Sequence, residues 1–175
     1  MISYWIFATP LGDAGMVTGE KGIKYLVLPG WDKAEIEEYI LDLFPQAQAG
    51  ANPTKDVLAA MDYVKNYFYG AAPKILVKLD LSELGEFQRK VLEVVSKIPR
   101  GQTRSYAWVA EQLKNQKAIR AVAQALAHNP LPLFIPCHRV LGKDGSLKGF
   151  SSPQGIRMKK YLLHLEEKPE NKMAG

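Results

Sequence analysis

Residues 105–127 read SYAWVAEQLKNQKAIRAVAQALA. Ser105, suited to cap a helix, precedes a short apolar-patterned run from Tyr106 to Leu113; the polar break Lys114-Asn115-Gln116 follows, and a second run from Lys117 to Ala127 is stopped by Asn129-Pro130. Two short helices joined by a tight polar turn are the pattern of a helix-turn-helix. The second run contains Ala118, Ala121, Ala123, Ala125 and Ala127, with Arg120 as the long basic side chain of its interior. Two readings of it stand level. It is a closely packed core helix, or a helix whose small residues let its backbone approach a groove wall while Arg120 enters DNA.

Charge supports a nucleic-acid partner. Residues 1–84 carry seven Lys/Arg against eleven Asp/Glu, a net of −4, whereas residues 85–175 carry sixteen against seven, a net of +9. The basic block coincides with the helix-turn-helix, which points to a polyanion, with a solvated charged surface as the alternative.

The same block holds the only cysteine, in Ile135-Pro136-Cys137-His138-Arg139-Val140. A lone cysteine in an apolar run is usually inert packing. Here an imidazole and a guanidinium follow it directly, a setting that favours thiolate, and Pro136 fixes the backbone before it. Cys137 is therefore a candidate nucleophile. In a continuous strand Cys137 and His138 would point to opposite faces. Either the chain turns at Pro136, or the imidazole reaches the sulfur through an intervening water. Glu166 is either a solvated carboxylate or the third group that orients His138.

Other classes are excluded by composition. With 175 residues, 47% hydrophobic and 23% charged, the chain has the make-up of a soluble globular protein of one domain or two small ones. It shows neither an apolar run of membrane-spanning length nor a basic leader followed by an apolar core. One Cys and three scattered His give no disulfide framework and no metal-ligand spacing. No metal and no cofactor are expected.

Upstream, Tyr4–Ala8, Gly15–Thr18 and Ile23–Leu28 read as a strand meander. Trp31–Phe44 and Asn52–Tyr69 read as helices, the first capped by Asp32, and Lys74–Leu79 as a further strand. Residues 87–98 read as an amphipathic helix ended by Pro99. Leu141–Phe150 reads as a hairpin about Lys143-Asp144-Gly145. A last helix begins at Pro153 and turns Ile156, Tyr161, Leu162 and Leu165 inward, and a frayed tail follows from Lys168. The fold class is α+β: a small N-terminal α/β domain (strand meander plus helices, 1–80) with a structural role, then a mainly helical helix-turn-helix domain (81–175) carrying the cysteine.

Taken together, Pro136-Cys137-His138-Arg139-Val140, Asn129-Pro130, Arg120-Ala121-Val122, Gly101 with Ser105-Tyr106, and Leu162-Leu163 followed by Glu166 resemble the O6-alkylguanine-DNA alkyltransferase family over about residues 85–166. The resemblance implies a suicidal repair protein, a methylated-DNA-[protein]-cysteine S-methyltransferase. It would take an alkyl group from O6 of guanine in double-stranded DNA onto Cys137, once per molecule. Glu166 would hold His138, which draws the thiol proton through a water. Arg120 would fill the space of a flipped nucleotide, and Tyr106 would rotate the 3′ phosphate and donate to the guanine ring. Ser105 and Ala121 would lie on the DNA, and Asn129 would brace the turn. Pro132, Val140, Phe150 and Ser151 would form the base pocket. Phe150 stands where many relatives have Tyr, and the Ser151–Gly155 loop differs in length from some members. A monomer is expected, and the lack of a membrane-length apolar run or leader places it, without membrane attachment, in the cytoplasm or, in a eukaryote, the nucleus. Two other classes remain as competitors: a helix-turn-helix regulator with an incidental cysteine, and a Cys-His hydrolase.

Overall fold

Glycines at both meander turns let three strands fold back on one another. In a computed structural model, which describes residues 1–168, β1 (Ser3–Thr9), β2 (Gly12–Gly19) and β3 (Gly22–Val27) are antiparallel neighbours. The chain divides into two compact units, one comprising Met1–Leu81 and the other beginning at Ser82.

In the first unit β2 is central and buried from Ala14 to Thr18. Helix α1 (Lys33–Leu43) starts from a capping box, in which Glu35 N–H donates to Asp32 Oδ1 at 2.9 Å and Asp32 N–H donates to Glu35 Oε2 at 2.8 Å. It settles onto the sheet at Gly15, where a Cβ would come within 2.5 Å of the Ile36 side chain. Ile36 and Ile40 thereby close a core with Tyr4, Val17, Val27 and Ala47. Helix α2 (Lys55–Phe68), capped by Thr54, meets the other face of β1, with the Lys65 ammonium 6.0 Å from the Phe7 ring centre. A two-residue strand, β4 (Gln48–Ala49), adds in parallel to β1.

Lys74–Leu79 is not a strand. It makes one parallel bridge, Leu79 to Ile23, with Leu76 82% exposed. Gly22 lets this segment come close, since a Cβ there would lie 2.3 Å from the Lys78 carbonyl oxygen. The contact is held by two backbone hydrogen bonds, Ile23 N–H to Lys78 O at 2.9 Å and Asp80 N–H to Ile23 O at 2.7 Å, and by the buried Lys24–Asp80 pair at 3.1 Å.

In the second unit α3 (Glu86–Ser96) buries Val91, Leu92 and Val95. Helix α4 (Tyr106–Gln112) is capped by Ser105 Oγ, which accepts from Trp108 N–H at 3.0 Å. It ends in a Schellman motif: Lys114 at φ 54° takes the left-handed position usually given to glycine, Asn115 N–H donates to Ala110 O and Lys114 N–H to Glu111 O. A 3-10 turn at Gln116–Ala118 leads into α5 (Ile119–Ala127). One face of α5 buries Val122, Ala125 and Leu126, as a closely packed core helix requires, while Ile119, Arg120, Ala121 and Gln124 are exposed.

Two expectations need correction here. The turn at Gly142–Ser146 forms, with Gly145 at φ 79°, but residues 147–150 are not a strand and no hairpin results. Instead β6 (Val140–Leu141) pairs in parallel with β5 (Arg104–Ser105), and Lys148-Gly149 offers no alternating apolar face to pair. The last helix, α6 (Ile156–Glu167), starts at Ile156 rather than Pro153, and Ile156 and Tyr161 are exposed. Its register is set by Met158, Lys159, Leu162 and Glu166, which are buried. The tail expected to fray lies, beyond Lys168, outside the described residues.

Candidate active site

Pro136 decides where the thiol points. At φ −80°, ψ 61° it makes an inverse γ-turn, with Cys137 N–H donating to Ile135 O at 2.8 Å. Cys137–Arg139 then forms a 3-10 turn before β6. The chain thus turns at Pro136, and no strand separates Cys137 from His138.

The segment entering this turn is braced by Asn129, 1% exposed: its Nδ2 donates to Ile135 O at 3.0 Å and its Oδ1 accepts from Leu131 N–H at 3.0 Å. Between those points Leu133 holds φ 70°, a conformation costing a leucine of the order of 1–3 kcal/mol and kept only where neighbours enforce it. Asn129 also reaches the Cys137 thiol.

Behind the thiol lies a charged cluster built on Glu166. His138 Nε2 donates to Glu166 Oε1 at 2.7 Å, and Arg139 donates to both carboxylate oxygens at 2.8–3.2 Å. Arg139 also donates to Ile98 O at 2.6 Å, and Gly101 N–H to Glu166 Oε2 at 3.4 Å. The His138 side chain is 0% and that of Glu166 1% exposed. Burial drives the His138 pKa down while Glu166 opposes it. A neutral ring with Nε2 committed to Glu166 can take a proton at Nδ1.

Burial pushes the Cys137 thiol up to about 11, against the pull of the Asn129 hydrogen bond, the Lys159 charge and the amides of Cys137 and His138. The sulfur is therefore held in its protonated form.

Lys159 is the residue that sequence reasoning missed. It is 1% exposed, its Nζ donates to Tyr106 Oη at 3.3 Å, and it lies 5.7 Å from that ring's centre. Among the described residues no carboxylate pairs with it. Burial lowers its pKa to about 8, partly opposed by Cys137. Tyr106 is pushed up to about 12 by burial and then by Cys137. The signal was the spacing Lys159, Leu162, Glu166, one stripe at i, i+3 and i+7.

Thus Cys137, His138, Glu166, Asn129 and Tyr106 come together. Phe150 joins them, its ring edge-on to His138 at 6.5 Å, and Val140 is buried next to the turn. Pro132 is buried and Ser151 half-buried, and neither hydrogen-bonds to the cluster among the described residues. Arg120 and Ala121 stand on the exposed face of α5, and the Ser105 hydroxyl caps α4. Among the described residues no three His, Cys, Asp or Glu could hold a metal ion, and no helix is long and apolar enough to cross a membrane.

Residues 86–168 match the family model described as 6-O-methylguanine DNA methyltransferase, DNA binding domain. The chain is similar to the methylated-DNA–protein-cysteine methyltransferase of Methanosarcina acetivorans, at 34% identity over 93% of this chain and 97% of that one. It resembles the constitutive protein of that name from Bacillus subtilis equally, at 34% over 93% and 94%. Among solved structures, Mycobacterium tuberculosis OGT in complex with DNA superposes with a TM-score of 0.78 at 30% identity, covering 94% of this chain and 92% of that one. With likeness running through both units and the cysteine turn inside the matched segment, the chain belongs to the methylated-DNA–protein-cysteine methyltransferase family.

Proposed function

We propose that this protein repairs double-stranded DNA by moving an alkyl group from O6 of guanine to Cys137, one reaction per molecule. The observation that carries the reading is the buried thiol on a γ-turn, backed by the His138–Glu166 pair, directly after a helix-turn-helix. A base inside a duplex cannot offer its O6 substituent to a buried sulfur, so the nucleotide must be extruded. The exposed face of α5 docks in the groove, Arg120 occupies the vacated stack, and Tyr106 turns the 3′ phosphate. The base enters a pocket bounded by Pro132, Val140, Phe150 and Ser151. As the sulfur attacks, its proton passes through a water to His138, whose ring Glu166 holds. The product is a thioether that water does not readily cleave.

The transfer is assigned to residues 81–175 acting as a monomer and a structural role to residues 1–80. The compartment this function requires is the one holding the genome, the cytoplasm of a prokaryote or the nucleus of a eukaryote.

Incubation with duplex DNA bearing O6-methylguanine, followed by intact-mass measurement, should add one methyl group per chain. Cys137→Ser should bind the DNA and gain nothing; a methyl group on that variant would remove Cys137 from the reaction. Arg120→Ala should slow transfer from duplex much more than reaction with free O6-benzylguanine, which needs no extrusion. Equal slowing of both would place Arg120 in the chemistry.

A further inference from the structure

The end of a helix leaves carbonyls without amide partners, and whatever satisfies them also fixes where the chain goes next. At α5 this matters for both parts of the site. Its exposed face carries Arg120, and two residues past its end Asn129 braces the turn that aims Cys137. Gln124 O accepts the His128 amide at 3.3 Å and His128 Nδ1 at 2.9 Å, and Leu126 O accepts the Asn129 amide at 3.1 Å. Ala125 O and His128 O are met from another helix: Gln88 of α3 donates its Nε2 to both, each at 3.1 Å. A primary amide carries two hydrogens on that nitrogen, so one side chain serves both carbonyls.

The clamp is mounted on a packed element, since α3 is itself anchored by buried Val91, Leu92 and Val95. Nothing in the sequence marks Gln88, which lies half-buried between exposed Phe87 and Arg89 in the first turn of an amphipathic helix. Only the register of α3 against the end of α5 brings it to the joint.

We propose that Gln88 is a positioning residue for the transfer, holding the exit of α5 so that Arg120 and Cys137 keep one spacing while an extruded nucleotide lies between them. The proposal rests on the alkyl-transfer reading above. A nucleotide in a strand docked on α5 is placed by that helix, whereas the sulfur is placed by the chain beyond the joint. If the joint yields, the base arrives displaced from the sulfur. A free base has no such tether, and finds the pocket wherever α5 stands.

The test measures single-turnover transfer from duplex DNA with O6-methylguanine at saturating DNA, beside reaction with free O6-benzylguanine. Gln88→Glu keeps the shape but turns acceptor oxygens toward Ala125 O and His128 O. It should slow saturated transfer by roughly 10- to 100-fold, as a displacement of about 1 Å can, and leave the free-base reaction close to that of the unmodified protein. Gln88→Met, of similar length with neither donor nor charge, should behave alike and stands in if the carboxylate prevents folding. Gln88→Lys, whose ammonium can donate to both carbonyls and suits the C-terminal end of a helix, should restore most of the duplex rate. A loss shared equally by both substrates, an unchanged duplex rate in Gln88→Met, or a Gln88→Lys variant as slow as Gln88→Met would overturn the clamp and leave alkyl transfer standing. An unmodified protein that gains no mass from the DNA would sink the parent reading, and the clamp with it.

Discussion

Glu166→Ala should destabilise the protein by about 3–5 kcal/mol, the range for removing one member of a buried, hydrogen-bonded charge group. The carboxylate receives His138 and both ends of the Arg139 fork, and it is reached by the amide of Gly101. Without it a guanidinium only 11% exposed loses its carboxylate while its bond to the Ile98 carbonyl remains. Against a total of about 5–15 kcal/mol that loss is large. Urea unfolding should show a lower midpoint at unchanged slope, since the surface exposed on unfolding stays the same. A change under about 1 kcal/mol would mean that Arg139 and His138 are solvated, and would also remove the orienting role of Glu166.

Lys159→Met should act in the opposite sense. A lysine whose pKa falls from 10.5 to about 8 on folding weakens the fold by about 3 kcal/mol wherever both states are protonated. Removing the charge recovers this, less about 1 kcal/mol for the Tyr106 hydroxyl left without its donor. The net expected gain is about 2 kcal/mol at neutral pH, or roughly 4–8 °C in Tm for a chain of this size. Between pH 8 and 10.5 the unfolded chain holds a proton that the folded one has released, so the stability of the unmodified protein should rise with pH across this window. The advantage of the variant is therefore full below pH 8 and disappears as pH approaches 10.5. A variant less stable at pH 7 would show that Lys159 has a compensating partner.

The capped helices were legible because caps are local chemistry. Asp32 and Ser105 act from within three residues of the groups they satisfy, and the break at Lys114-Asn115-Gln116 is where α4 ends. The two-residue strands β4, β5 and β6 were not, since two residues carry no periodicity and pair only once distant segments meet. Ile75, Leu76 and Val77 suggested a strand by type, yet the segment has one bridge to hold it. At the site, Cys137 and His138 stood out by residue chemistry, whereas Glu166 read equally as a solvated carboxylate. Lys159 did not stand out, because a lysine on an amphipathic helix reads as solvated until the register of α6 is known. The expectation that Ile156 and Tyr161 face inward chose the wrong stripe, and it hid Lys159 and Glu166 as neighbours on the right one.

On the proposed function the Cys137 thiol works only once, and it must wait unharmed until it is needed. Oxidation of cysteine follows thiolate character and access, and Cys137 offers little of either: it is 3% exposed and holds its proton up to about 11. The same burial that makes the nucleophile sluggish toward solvent gives it shelf life against peroxide and stray electrophiles. Each folded molecule is then a durable unit of stock, and a cell's capacity for repair is set by how many copies it holds rather than by how fast any one of them turns over.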